Sequence, residues 1–123
     1  MDRYLAVMAG AALGGLLRYA VVTGVTERFA TRFPLGTLVV NVTGCFLIGL
    51  LMTVLTERLI PHRNWNLFLV SGILGGYTTF SAFGWETFQS GREGGHAIAL
   101  ANVVLSCVLG YLAVWLGVIL ARR

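Results

Sequence analysis

Charge is what this sequence has least of. Of 123 residues only 11% are charged, against about 25% in a soluble domain. Five are acids, and lysine is absent, so all nine cations are arginines. That scarcity excludes a water-facing surface over most of the chain. Cysteine is equally sparse. Cys45 and Cys107 both fall inside apolar runs, which suits small packing residues better than a disulfide or a metal pair. His62 and His96 stand at expected loop edges, far from either cysteine, so no zinc-type spacing exists. No nucleophile–base pair, metal-ligand cluster or phosphate-binding loop can be picked out, which argues against an enzyme. The net charge of +4 comes from arginines scattered at helix ends. There they suit lipid headgroups rather than a nucleic-acid patch.

What is present is hydrophobic length. The chain is 57% hydrophobic, with a mean hydropathy of +0.81. A bilayer core about 30 Å thick needs roughly 20 apolar residues per helix. Four spans are predicted, at roughly 4–26, 35–56, 65–88 and 96–120, joined by short polar segments. Together they use most of the chain, so residues 1–123 are read as a single transmembrane domain. The first span follows Arg3 and continues through Arg18 without a clear cleavage site. It is therefore expected to be a retained helix rather than a signal peptide.

Four spans put both termini on one side of the membrane. That side carries Arg3, Arg58, Arg63, Arg122 and Arg123, and the other carries Arg28, Arg32 and Arg92. Five against three is a weak bias for a rule that reads local arginine excess, so the sequence permits insertion in both orientations. Two oppositely inserted copies would form an inverted-repeat assembly with its site near the midplane. Gly10 and Gly14 form a GxxxG pair on the first span, supported by Gly15, Gly44 and Gly49. The pair suits close packing within one chain and a dimer face equally.

Polar residues inside the spans are few, and such residues face a partner or a cavity. Arg18 is either an anion attractor in a vestibule or a snorkelling helix-end arginine. Thr37, Asn41 and Gly44 share a face of the second span. In the third, Gly75–Gly76 weakens the helix by about 1 kcal/mol per glycine relative to alanine. The expected result is a break at mid-membrane or a packing kink. Freed carbonyls of opposed broken helices suit a hard cation such as Na⁺. Phe80 and Phe83 lie on one helical face, and the positive edges of their rings can meet an anion. Ser81 adds a hydroxyl, and Glu86 follows near the water interface as a vestibule carboxylate or a helix-end acid. The fourth span contributes Asn102 and Ser106 one turn apart, then Tyr111 on a neighbouring face. No carboxylate or histidine sits mid-span to couple transport to protons. Neutral donors and aromatic edges suit a small anion that must lose its hydration shell.

Three segments carry a family resemblance: Gly75-Gly76-Tyr77-Thr78-Thr79-Phe80-Ser81, Gly14-Gly15-Leu16-Leu17-Arg18-Tyr19, and Gly36-Thr37-Leu38-Val39-Val40-Asn41-Val42-Thr43-Gly44. With them the chain resembles, over essentially its whole length, the Fluc/CrcB fluoride channel family. The resemblance implies an all-α membrane protein of the bacterial plasma membrane. It would be assembled as an antiparallel, dual-topology homodimer with two fluoride pores. It implies that Asn41 is the pore amide, that Phe80 and Phe83 turn aromatic edges to fluoride, and that Ser81, Ser106 and Tyr111 form a polar track. Glu86 would stand at the pore mouth, and Arg18 matches the first-helix arginine. Gly75 and Thr78 would give carbonyls to a structural Na⁺ at the dimer centre. Ala82 departs from the family, whose members often carry a hydroxyl there. The implied physiology is passive export of fluoride that entered as HF.

Two other classes suit a chain of this size. A small multidrug-resistance exporter has similar size but relies on a carboxylate midway along its first helix, where this chain offers only Arg18. In a membrane assembly factor the polar residues would merely join helices. The weak charge bias predicts that single cysteines placed in loops are labelled by an impermeant thiol reagent from both sides of one membrane. Labelling from one side only would contradict dual topology.

Overall fold

In a computed structural model, residues 2–57 and 63–123 are described. Arg58, Pro61 and His62, three of the residues expected to close the second span, lie outside them. The described chain is helical. Helix α1 is Asp2–Phe29 and α2 is Leu35–Glu57. Helix α3 covers residues 63–77, α4 is Phe80–Arg92 and α5 is His96–Arg122. Helices α3 and α4 are two halves of one span. Among the described residues four spans are long and apolar enough to cross a membrane, so the chain is a multi-pass membrane protein.

The helices run several residues past the expected spans. Asp2 opens α1, Arg28 sits in its last turn, and Arg92 sits in the last turn of α4. These charges suit the opposite ends of a helix dipole, so the helices extend into the headgroup layer. Gly91 and Arg92, expected in a linker, therefore belong to α4. The chain reverses only at residues 93–95, where Gly94 adopts φ +79°, a left-handed conformation that glycine enters freely.

Small residues decide the packing. A Cβ added to Gly14 would overlap the Ile73 carbonyl, and one on Gly10 would overlap the Phe68 carbonyl. A Cβ on Gly76 would lie 2.6 Å from the Ala11 oxygen. The GxxxG pair is thus spent inside the chain, joining α1 to α3, and does not form a face for a second copy. Residues Leu67–Leu74 of α3 are wound as a π-helix, a wider winding than the α-helix with i→i+5 bonds. Glycines also join α2 to α5: Gly49 abuts Val114, and Gly117 abuts Phe46. Cys45 meets Gly110, Gly49 meets Val114 and Glu57 pairs with Arg122, so position numbers rise together along the pair and α2 and α5 run parallel. At their ends Arg122 Nη2 lies 2.7 Å from Glu57 Oε1 in an exposed ion pair, a class worth about 0–1 kcal/mol.

Large apolar side chains remain on the outside, among them Leu16, Leu100, Val108 and Trp115. In water such a surface would drive aggregation; against lipid tails it costs little, and helix association rests on close packing and hydrogen bonds.

Gly14 and Gly15 make a sharp comparison, because a Cβ on Gly15 meets nothing within 4 Å. Gly14→Ala is expected to destabilise by about 1–3 kcal/mol through overpacking. Gly15→Ala is expected to be neutral or to stabilise by about 0.5–1 kcal/mol. Thermal unfolding of the two variants in detergent checks this, and equal midpoints would refute the packing account.

Candidate functional site: a helix break between two cavities

The third span does not break at Gly75–Gly76. Both glycines stay helical within Gly75–Tyr77, and the chain turns extended at Thr78 and Thr79. Thr78 has φ −83° and ψ 158°, and Thr79 has φ −150° and ψ 119°. Glycine weakens a helix without dictating where it ends. Here side-chain partners dictate it.

The decisive partner is Asn41 of α2. Its Nδ2 donates to the Thr79 carbonyl at 2.9 Å, and its Oδ1 accepts from the Thr79 N–H at 2.8 Å. One side-chain amide thus reproduces the paired bonds of a neighbouring strand. The Thr79 N–H that an unbroken helix would give to Gly75 goes to Asn41 instead, and the Gly75 carbonyl is released. Arg18 of α1 donates from Nη1 to the Thr78 carbonyl at 3.3 Å. Thr79 then caps α4, its Oγ1 accepting from the Ala82 N–H at 3.2 Å. Non-helical backbone at membrane depth must have its polar groups satisfied by protein or by a watery cavity, and side chains of α1 and α2 supply those partners here.

Cavities flank the break. The first, about 400 Å³, brings together Asn41, Phe80, Phe83, Ser106, Gly75 and Thr78. The Phe80 and Phe83 ring centroids lie 5.5 Å apart with planes tilted by 39°. Cys45 and Cys107 also line it, as free thiols. Among the described residues no carboxylate, imidazole or guanidinium lines this cavity. Phe80 is 83% exposed in the single chain, so the cavity opens outward at mid-membrane.

The second cavity, about 510 Å³, lies across Thr79 and holds Arg18, Ser81, Ala82 and Glu86. A third, about 320 Å³, sits under the α1–α2 loop with Arg32, Gln89 and Glu93 on its walls. Thr37 and Glu86 line both. Glu86 Oε1 accepts from Thr37 Oγ1 at 2.7 Å, while its Oε2 is buried with no protein partner among the described residues. Glu86 therefore stands where the second and third cavities meet. Arg18 is half-buried and turned onto the break, which fits pairing within the protein rather than snorkelling.

The structure thus gathers Asn41, Phe80, Phe83, Ser106, Gly75 and Thr78 in one cavity and Arg18, Ser81 and Glu86 in the next. Tyr111 lines none of the three, and its side chain is 73% exposed. Sequence reasoning did not single out Thr79, the residue that carries most of the break's bonds. Its signal was a threonine three residues before Ala82, an N-cap position that becomes visible only once the break is placed. Nor did it single out Thr87, which accepts from Asn102 Nδ2 at 2.8 Å. Among the described residues no group of three His, Cys, Asp or Glu side chains could hold a metal.

A span broken between two cavities, inside a four-span membrane bundle, is the architecture of a membrane transport protein. The chain belongs to the family described as CrcB-like protein, Camphor Resistance (CrcB), whose model matches residues 5–118. A relative from Solibacter usitatus is 60% identical over 121 residues, covering 98% of this chain and 99% of its own. One from Acidobacterium capsulatum is 46% identical, covering 98% and 97%. One from Chloroflexus aurantiacus is 43% identical, covering 99% and 97%. All three are named fluoride-specific ion channel FluC.

Replacing Asn41 by leucine strands both polar groups of Thr79, at about 1–3 kcal/mol for each. Asn41→Leu is expected to speed hydrogen exchange at the Thr79 amide and lower the unfolding midpoint. Unchanged protection at Thr79 would refute the clamp.

Proposed function

We propose that this chain is a fluoride-selective ion channel giving passive export of fluoride from the cytoplasm. The observation that carries the reading is the first cavity. It presents an amide, a hydroxyl and two aromatic rings at mid-span, with no acid or base facing it. Proton-coupled transport needs a titratable group there, and a cation pore would want carboxylates or rings of carbonyls. Neutral donors and ring edges suit an anion instead. The names of the relatives point to fluoride in particular.

Fluoride holds its water strongly, so a pore must replace the hydration shell with donors already in place. Asn41 Nδ2 has a second N–H beyond the one given to Thr79, and its orientation is locked by the two Thr79 bonds. Ser106 adds an O–H. The ring edges of Phe80 and Phe83 add positive potential without a proton to lose. Arg18 and Arg32, on the second and third cavities, would draw an anion in from the loop side. Ser81 and Glu86 would carry it between them. Tyr111, outside these cavities, would join the track only at a subunit contact.

The working unit is an antiparallel, dual-topology homodimer with two pores. The exposure of Phe80 and Gly75 at mid-membrane supports it, because a second copy would close the open cavity. The weak arginine bias supports it as well. A structural Na⁺ would sit where the two breaks meet. The Gly75 carbonyl fits that role, since the Thr79 N–H has left it. The Thr78 carbonyl keeps one lone pair beside the 3.3 Å bond from Arg18. Two carbonyls are too few for a hard cation, so the second copy must supply the rest. When bound, the ion would add fixed positive charge at the subunit contact.

Purified protein in liposomes is expected to release fluoride and retain chloride once the membrane potential is shunted. Equal leakage of both ions would sink the assignment. Phe80→Ile is expected to slow fluoride release at least ~10-fold, equivalent to about 1.4 kcal/mol, while the dimer persists. An unchanged rate would remove Phe80 from the pore.

A further inference from the structure

We infer that Asn102 is a positioning residue of the anion path: it fixes the α4 half-helix and holds the Ser106 hydroxyl ready for the ion. This rests on the reading of the first cavity as a fluoride path. Asn102 is 1% exposed, among the most buried polar side chains described. It does not line the cavity but lies one turn before Ser106, which does.

Its bonds form a directed string. Asn102 Nδ2 donates to Thr87 Oγ1 at 2.8 Å, and Thr87 Oγ1 donates to the Phe83 carbonyl at 2.7 Å. On the other side, Ser106 Oγ donates to Asn102 Oδ1 at 3.5 Å. The donors run one way along the string, from Ser106 on α5 through Asn102 and Thr87 to Phe83 on α4, with the Asn102–Thr87 bond making the crossing; the string ends on the backbone of a residue that lines the cavity. Helix α4 leans mainly on α5. The Asn102–Thr87 bond is a side-chain hydrogen bond between these two helices, so it sets where the Phe80 and Phe83 rings stand.

The lengths divide the two tasks. Bonds of 2.7–2.8 Å hold Asn102, Thr87 and Phe83 together, whereas 3.5 Å is at the limit of a hydrogen bond. The Ser106 hydroxyl is loosely kept, satisfied enough to persist in a dry wall and free to turn toward an anion. Asn102 keeps its short bond to Thr87 throughout. The site then gains a donor for the ion without moving a helix, the kind of pre-organisation that favours a weakly compensated, strongly hydrated anion.

The experiment measures fluoride efflux and the fluoride-to-chloride preference in liposomes for four variants. Asn102→Leu removes both contacts, Thr87→Val removes the hydroxyl at nearly constant shape, Thr87→Ser keeps the hydroxyl, and the fourth combines the first two. Asn102→Leu and Thr87→Val are expected to lower efflux at least ~10-fold and to erode the ion preference. Thr87→Ser should retain most of both. The double variant should be no worse than Asn102→Leu alone, because the string acts as one unit. A merely structural role would lower the yield of folded dimer without changing the preference between ions. If Asn102→Leu does not fold, Thr87→Val and Thr87→Ser decide the matter. Wild-type protein that conducts fluoride, beside Thr87→Val with unchanged rate and preference, overturns the positioning role. Wild-type protein that passes no fluoride overturns the channel reading and this one with it.

Discussion

Everything at the centre of this protein depends on one side-chain amide bound to one backbone unit. Asn41 takes both the N–H and the C=O of Thr79. A backbone amide in hydrocarbon that lacks a partner costs several kcal/mol, so two residues of extended chain at membrane depth would otherwise revert to helix. With the amide in place the break is the satisfied state. Three things follow from it: the Gly75 carbonyl is released, α4 begins on a threonine cap, and Phe80 and Phe83 project beside the amide that holds the break open.

The four spans and the fold class were legible because the bilayer imposes length and composition on every helix that crosses it. Several residues that meet around the break were legible for a related reason. Polar side chains are so few in these spans that each one is informative, and Asn41, Ser106 and Phe80 could be named on that ground or by resemblance. The position of the break was not legible. Glycine marks where a helix is weak, but the break is set by Asn41 and Arg18, which lie 38 and 60 residues away in sequence from the threonines they bind. Partners that distant leave no local pattern. The glycine pair of α1 was ambiguous for the same reason, since its contact on α3 depends on how the span folds back.

Thr87 and Asn102 show a different limit. A threonine in a helix commonly bonds its own backbone one turn earlier, and Thr87 does so at Phe83. Nothing local reveals that the same oxygen also receives an amide from another helix. Arg18 is instructive in the opposite direction. A charge in a span signals a partner, and its partner here is a single carbonyl at the break.

The third span also has a mechanical meaning. Its first half is packed by glycine contact against α1, and its second half is tied by a hydrogen bond to α5, which itself is seated on α2. The two halves therefore lean on different neighbours and are joined by two extended residues. A shift of one half against the other falls first on Thr78 and Thr79. The seam of the molecule and its most delicate chemistry occupy the same place.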